Sequence, residues 1–311
     1  MTDSLAGTIP RALNVHRFIG VSLGGARGKT TAVARLEFGQ VPGQIVLAEA
    51  RFRQGQRGGG WLDAKDSNSG VVFRDEVLLS YLRQWPAAQC VLAFDAPLTL
   101  PPCIRCSLPC PGVTACEVPI VKWMRKTAVS LGYGSKTSAA AKPNFITPYT
   151  QRATDMLLAQ RRLHPRETLG QGMGPLTARA TYLRRTLEPE FRLFHNLIEV
   201  HPRATLIRLF GNVVENASRV GSLESMWESR KKMLFDMTKK VVLAGVWPEL
   251  VIRNLHVFYA VVSAFSAYRC WTEDWKGPQD LLDSQATLQF RAAIADLRSL
   301  WLEDGWIWVP P

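Results

Sequence analysis

An acidic residue and four cysteines, two kinds of chemically active group, lie close together between Gln89 and Cys116. The apolar run VLAF ends at Asp95 and is soon followed by Pro97, so it predicts a buried strand that carries a carboxylate at its end. The cysteines follow at Cys103, Cys106, Cys110 and Cys116. An acid at a strand end beside a cysteine-rich loop predicts a functional site.

The four cysteines have the spacing C-x2-C-x3-C-x5-C, which places four thiolates near enough to surround one metal ion tetrahedrally. Prolines within the same loop stiffen it and favour a preformed site. Zinc suits such a site, and an iron–sulfur cluster also uses four nearby cysteines. We predict structural Zn²⁺ because the fold suggests no redox task, with an iron–sulfur cluster or unligated thiols as the alternatives.

Glu199 is a second acid at the end of an apolar segment, within the sequence LIEVHP. Mg²⁺ and Mn²⁺ bind carboxylate oxygens, and acids that end neighbouring strands can converge on such an ion. Asp95 and Glu199 are therefore predicted to lie at one edge of the sheet and to hold a divalent ion. The plain alternative for Asp95 is a turn role beside Ala96 and Pro97.

The chain is basic, with 38 Lys and Arg against 26 Asp and Glu and a formal net charge of +12. Residues 118–154 contain no acid, and aromatic residues lie among the cations there. Such a composition suits single-stranded nucleic acid, because cations follow the phosphates and rings stack on bases. An ordinary solvated surface is the alternative. The predicted contacts are Lys29, Lys122, Trp123, Arg125, Lys126, Tyr133, Lys136 and Lys142.

The sequence GGARGKT, residues 24–30, partly matches the P-loop pattern, in which backbone amides and a lysine hold a phosphate. Leu23 stands where that pattern requires its first glycine. The residues after Thr30 alternate like a strand, whereas a P-loop leads into a helix. The sequence therefore predicts a hairpin turn, with Lys29 near a substrate.

Apolar periodicity places strands at residues 17–23, 31–37, 44–51, 91–94 and 194–200. Turns with glycine separate the first three, which predicts an antiparallel meander, and helical segments alternate with the other two. We predict a single domain over residues 1–311, with an α/β fold and a mixed sheet covered by helices on both faces. A cysteine-rich loop at 101–117 and a basic, largely helical insertion at 118–192 complete the prediction.

The sequence shows no feature of a membrane or secreted protein. No run reaches about 18 apolar residues, so no membrane span is predicted. The first residues lack a charged region followed by an apolar one, so no secretory signal is predicted. Both points favour a cytoplasmic protein with reduced cysteines.

Five segments occur in order along nearly the whole chain, namely IGVSLGGARGKTTAVARLE, VLAFDAPLTLPP, LIEVHPRATL, HVFYAVVSAFSAYRC and EDGWIWVP. Together they resemble the predicted RNase H-like nucleases known as domain of unknown function 429. The resemblance implies a mixed sheet of about five strands, the first three antiparallel. It also implies phosphodiester hydrolysis by carboxylates that bind Mg²⁺ or Mn²⁺.

The motifs carry only part of the acid set that the resemblance implies. Asp95 matches the acid of the family's Asp-Ala-Pro motif, and Glu199 matches the acid of its Glu-Val-x-Pro motif. Ser22 stands at the acid position of the first strand, and Tyr259 stands at the aspartate position of the late helix. A neutral hydroxyl or phenol does not supply the charge that balances two divalent ions.

Two histidines are candidate nitrogen ligands in place of the missing acids. His256 lies one helical turn before Tyr259, and His201 follows Glu199 closely. Two functions follow from the resemblance. The first is a metal-dependent nuclease. The second is a catalytically degenerate relative that binds nucleic acid or acts as a scaffold, with a structural metal site formed by the four cysteines.

Overall fold

One mixed β-sheet organises the residues that the computed structural model describes, namely 14–25, 30–52, 74–132, 146–243 and 246–311. Its strands are β1 Arg17–Ser22, β2 Ala32–Phe38, β3 Ile45–Phe52, β4 Cys90–Phe94, β5 Leu197–Val200, β6 Val241–Leu243 and β7 Ile307–Trp308. Their order across the sheet is β6-β3-β2-β1-β4-β5-β7.

The central strands follow the predicted plan. β1, β2 and β3 form the antiparallel meander, while β4 runs parallel to β1 and β5 runs parallel to β4. β4 is buried along its whole length because helices cover both faces of the sheet, which explains its unbroken apolar sequence. The predicted α/β fold with a mixed sheet is confirmed.

The helices in the described residues pack on both faces of this sheet. They are α1 Asp75–Leu82, α2 Pro102–Arg105, α3 Pro119–Ser130, α4 Ala153–Gln160, α5 Gly174–Leu187, α6 Pro202–Phe210, α7 Asn212–Ala217, α8 Leu223–Thr238, α9 Pro248–Arg253, α10 Leu255–Thr272, α11 Leu288–Leu297 and α12 Leu300–Asp304. None of those helices is long and apolar enough to cross a membrane.

Two short edge strands bring the sheet to seven strands instead of about five. β6 pairs in parallel with β3, and β7 pairs in parallel with β5. Apolar spacing predicts one helix over residues 222–244, but α8 ends at Thr238 and β6 begins three residues later. The β-branched residues Val241 and Val242 suit a sheet edge better than a helix end, so this part of the helix prediction is wrong.

The residues of the predicted insertion, 118–192, contribute to the cores on both sides of the sheet. α3 and α4 supply buried residues to the larger core, together with α10. α5 supplies Leu176, Ala180, Leu183 and Leu187 to the smaller core, beside α1. These helices therefore cover the sheet and position residues near its edge.

α10 lies directly on the centre of the sheet. Its first turn is capped by Asn254, whose side-chain oxygen accepts hydrogen bonds from the amides of His256 and Val257 at 3.0 and 3.1 Å. At Gly20 of β1, an added β-carbon would overlap the backbone of Ala260 and Ala264. The absence of a side chain at Gly20 thus lets α10 approach β1 closely.

We expect Gly20→Ala to destabilise the protein by about 2–3 kcal/mol, because backbone atoms of both elements must separate to admit the methyl group. Urea unfolding followed by circular dichroism measures this change. Gly174→Ala is the matched control, since a β-carbon there meets nothing within 4 Å. Equal stability of the two variants would contradict the close packing of α10 on β1.

Candidate functional site

The carboxyl ends of β1, β4 and β5 meet at one edge of the sheet. The amide of Asp95, directly after β4, donates a hydrogen bond of 2.8 Å to the carbonyl of Val21 in β1. Asp95, Glu199 and His201 line the same small pocket. Ser22, the last residue of β1, is buried beside them. The two acids therefore lie at the same edge, as the parallel strands require.

Glu199 is held by a buried arginine. Nη1 and Nη2 of Arg152 donate to Oε2 and Oε1 of Glu199, both at 2.7 Å, and the Leu98 amide donates to Oε2 at 2.8 Å. Arg152 is fully buried and Glu199 is 4% exposed. Both carboxylate oxygens thus accept hydrogen bonds, and Glu199 forms a bidentate ion pair with Arg152.

Further partners surround the same guanidinium, and we name Arg152, Glu199, Asp155 and Thr99 the Arg152 cluster. Nη2 of Arg152 also donates to Asp155 Oδ1 at 3.2 Å, and Nη1 donates to Thr99 Oγ1 at 2.8 Å. Burial acts against the guanidinium charge, but Asp155 and Glu199 outweigh it and raise the pKa of Arg152. Burial raises the pKa of Glu199, and Arg152 and the Leu98 amide oppose that shift.

Asp95 is the acid of the predicted pair that has no arginine partner in the described structure. Its Oδ1 lies 3.6 Å from Nδ1 of His201, and Nε2 of His201 lies 3.2 Å from the carbonyl oxygen of His164. His164 has a left-handed backbone with φ 48°. The Asp95–His201 pair is therefore oriented by a backbone carbonyl on the loop after α4.

His256 and Tyr259 reach the same edge from the first turns of α10. Burial lowers the pKa of His256, Asp95 opposes this shift, and Arg166 lowers the pKa further. Burial raises the pKa of Tyr259 to about 12, and the Asp95 charge adds to the effect. At neutral pH the environment of Asp95 thus contains a neutral imidazole and a protonated phenol.

Arginines that are not among the predicted site residues lie around this edge of the sheet. Arg166 is exposed, lines the pocket with Asp95 and His201, and forms no hydrogen bond or ion pair with another described residue. Glu215 is fully buried and is bound by Arg203 and Arg219. The buried acids of this edge are therefore neutralised by arginines, and Arg166 is left free to meet an external anion.

The four cysteines form a loose group of free thiols. Cys103 is half-buried, Cys116 is buried, and Cys106 and Cys110 are exposed. Burial raises the pKa of Cys103, and the other three thiols raise it further, so the four lie within electrostatic range of one another. Across the described residues, no three or more His, Cys, Asp or Glu side chains are arranged to hold a metal ion.

The described members of the predicted nucleic-acid surface have other partners. Trp123 is 5% exposed and donates its indole N–H to the carbonyl of Ala293, so the prediction that it stacks on bases is wrong. Arg125 donates to the carbonyl oxygens of Val113 and Cys116 at 2.7 and 2.5 Å, and so it fixes the cysteine loop.

The lysines of this surface are exposed but paired. Lys122 binds Glu117 and Lys126 binds Asp296, both at 2.6 Å. Such surface pairs are weak and leave a lysine able to exchange partners. The other predicted contacts, Lys29, Tyr133, Lys136 and Lys142, lie outside the described residues.

The hairpin interpretation of residues 24–30 agrees with the described residues on either side. β2 follows this segment and pairs antiparallel with β1, so a strand stands where a P-loop would lead into a helix. The Gly24 carbonyl and the Thr31 hydroxyl both accept hydrogen bonds from Arg179, at 2.7 and 2.9 Å. The described residues on either side of this segment are therefore held by α5.

Comparison of the chain with protein-family models, with curated proteins and with solved structures found no match in any of the three.

We expect Arg152→Met to destabilise the protein by about 3–5 kcal/mol, because it leaves buried carboxylates without a cation. Chemical unfolding measures this loss, and Arg185→Met on the exposed side of α5 is the matched control. The double variant Arg152→Met with Glu199→Gln should be more stable than Arg152→Met alone, since one buried charge is removed. A single variant as stable as the control would show that the ion pair is not formed.

Proposed function

We propose that this chain is an RNase H-like protein that binds nucleic acid and has lost the two-metal hydrolysis of the nuclease family that its motifs resemble. The observation that carries this proposal is the pairing of Arg152 with both carboxylate oxygens of Glu199. An active nuclease would need the Glu199 carboxylate to bind a metal ion, so the same pairing favours this proposal over nuclease activity.

The sheet supports the fold part of the proposal. Its five central strands, antiparallel for β1–β3 and parallel for β4 and β5, have the arrangement that the resemblance implies. The acid positions of the resemblance also come together: Ser22, Asp95 and Glu199 end adjacent strands, and Tyr259 approaches from α10. The two positions where the expected acid is replaced, Ser22 and Tyr259, therefore belong to the same site as Asp95 and Glu199.

The residues at this site do not fit a pair of Mg²⁺ or Mn²⁺ ions. Two divalent ions need several carboxylate oxygens to balance their charge. Ser22 and Tyr259 are neutral, and Arg152 neutralises Glu199. Asp95 alone remains for such a role, with His201 and His256 as neighbouring nitrogen groups.

The cationic groups support binding of a polyanion. The chain carries a formal net charge of +12, which favours association with phosphate backbones. Arg166 presents an unpaired guanidinium beside the Asp95 pocket, and a guanidinium can bind a phosphate through two parallel hydrogen bonds. We therefore place one phosphate contact of the proposed nucleic-acid complex at Arg166.

Fluorescence anisotropy with labelled single-stranded and double-stranded DNA and RNA tests the binding. We expect affinity to fall steeply with salt, because each neutralised phosphate releases counterions. Arg166→Gln should lower the slope of log K against log salt by about one unit, whereas Arg185→Gln on α5 should not change it. Absence of binding at low salt by the folded protein would refute the nucleic-acid proposal.

Incubation of the same substrates with Mg²⁺ or Mn²⁺ tests the loss of hydrolysis. The expected result is no cleavage above that of an Asp95→Asn variant, which keeps the size of the side chain and removes its charge. Metal-dependent cleavage that this variant abolishes would show that the protein is an active nuclease and would overturn the proposed loss.

We also propose a structural Zn²⁺ at Cys103, Cys106, Cys110 and Cys116. Besides burial, the other three thiols raise the pKa of Cys103, so they lie near it, which supports this ligand set. Arg125 already fixes the end of the loop. Thiolates are the preferred ligands of structural zinc. Since no three of these thiols are arranged to hold a metal ion in the described structure, the proposed site requires the loop to rearrange when zinc binds.

Metal analysis of purified protein should find about one zinc per chain. The exposed-cysteine variant Cys110→Ser should lose that zinc, while Cys270→Ser, outside the loop, should retain it. Iron with labile sulfide in place of zinc would overturn the choice of metal. No metal after purification without chelators would overturn the site.

A further inference from the structure

A second cleft lies on the larger-core face of the sheet, at the opposite end of α10 from the Asp95 pocket. It has a volume of about 460 Å³ and is bounded by β4, β5 and β7, the last turn of α10, and α11. Small-molecule sites commonly have volumes of about 300–1,000 Å³. Tyr259 and Trp271 are separated by roughly 18 Å along the helix, so the two sites are distinct.

Aromatic side chains form much of the wall of this cleft. Phe194, Trp271, Trp301 and Trp308 line it. The Trp301 ring lies 5.4 Å from the ring of Phe194 and 6.1 Å from the ring of Trp308, centroid to centroid, with edge-to-face geometry. A planar aromatic molecule would find both ring faces and ring edges to contact there.

The backbone around the cleft is strained. Five non-glycine residues of the described chain have a positive φ, and three of them line this cleft: Phe194 with φ 68°, Asp274 with φ 54° and Arg298 with φ 40°. Such conformations persist only where surrounding packing imposes them, and they concentrate at ligand-binding and catalytic sites. Asp274 is the usual left-handed residue after the last turn of α10, where the Trp275 amide donates to the Cys270 carbonyl, so the unusual positions at the cleft are Phe194 and Arg298.

One cation at the cleft is available to a ligand. Arg298, at the end of α11, is exposed and forms no hydrogen bond or salt bridge with another described residue. By contrast, Arg291 is held by the carbonyls of Ala286 and Asp283 at 3.1 and 2.9 Å, and Lys276 is paired with Asp274. Arg298 can therefore meet an anionic group on the ligand.

We propose that this cleft binds a planar aromatic anion, with its ring against the tryptophan wall and its carboxylate or phosphate at Arg298. Two kinds of molecule share this chemistry, an aryl carboxylate and a nucleoside monophosphate. The site is separate from the proposed nucleic-acid contact at Arg166, so each proposal can fail without the other.

Isothermal titration calorimetry with the full chain tests the site, using 2-naphthoate and adenosine monophosphate as probes. Their neutral counterparts, 2-naphthamide and adenosine, measure the contribution of the charge. We expect at least one anionic probe to bind more tightly than its neutral counterpart. Binding of 2-naphthoate would identify the ligand as an aryl carboxylate, and binding of adenosine monophosphate would identify it as a nucleoside monophosphate. If neither anion gives a heat of binding at millimolar concentration, the proposal is wrong.

Two exposed positions allow matched variants that do not disturb the core. Ala295 on α11 lines the cleft, whereas Ala292 is exposed on the same helix and does not. Ala295→Phe should weaken the bound probe roughly tenfold or more by filling the entrance, and Ala292→Phe should leave it unchanged. Equal binding by both variants would contradict this location.

The charge is tested in the same way. Arg298→Gln should weaken the anionic probe by roughly five- to tenfold and leave its neutral counterpart unchanged, because a charge-assisted hydrogen bond is lost. Arg185→Gln and Arg166→Gln should leave the affinity for the anionic probe unchanged. Loss of probe binding in Arg166→Gln would place the anion at the Asp95 pocket and overturn the assignment to this cleft.

Discussion

The buried guanidinium of Arg152 is the interaction on which the rest of the candidate site depends. An unpaired charge in the interior is very costly, so Arg152 must keep its carboxylate partners wherever the chain brings it inside. Those partners come from different parts of the fold: Glu199 from β5 and Asp155 from the first turn of α4. One residue thus joins the carboxyl edge of the sheet to the helices over it.

Neighbouring hydrogen bonds extend this link to the end of the chain and to the cysteine loop. Asp304 accepts from the amide of Ala153 at 2.7 Å and from Arg105 in α2 at 2.6 Å. Burial raises the pKa of Asp304 to about 6, while the Ala153 amide and Arg105 favour its charged form. The hydroxyl of Thr99 also donates to the Asp304 carbonyl at 2.8 Å. The edge of the sheet is therefore held by a polar network of the protein's own groups.

This network changes what the acids of the edge can do. A carboxylate with both oxygens in hydrogen bonds to arginine already has a cation beside it, which disfavours the approach of a metal cation. Glu215 shows the same pattern with Arg203 and Arg219. At this edge Asp95 lies near the protonated phenol of Tyr259 and the neutral imidazole of His256, and the cationic Arg166 lines the same pocket. This arrangement is the basis of the proposal that the edge binds an anion.

The sequence was sufficient to predict the central strands, since unbroken or alternating apolar residues mark β1–β4 directly. The strand predicted at residues 194–200 begins only at Leu197, because residues 194–196 form a turn in which Phe194 has φ 68°. It was not sufficient for β6, because three residues after a long helix continue its apolar spacing. Trp123 illustrates a second limit: an aromatic residue among cations has the composition of a nucleic-acid surface, yet the helical period turns it toward α11. Local sequence does not show which face of a helix is covered.

The Arg152 cluster shows a third limit. Arg152 and Glu199 are 47 residues apart, and in the sequence Arg152 is one of the cations of the acid-free segment 118–154. Only the fold brings it to a strand end. The sequence did offer one signal, the Arg-x-x-Asp pattern at the start of α4, where Asp155 caps the helix by accepting from the Arg152 amide at 2.9 Å.

The most direct measurement of the central claim is a crystal structure of the protein with Mn²⁺, using the anomalous signal of manganese to locate the ion. We predict that both Nη atoms of Arg152 stay within hydrogen-bond distance of Glu199 and that no manganese contacts this carboxylate. Manganese bridging Asp95 and Glu199, with the guanidinium of Arg152 displaced from Glu199, would contradict the claim.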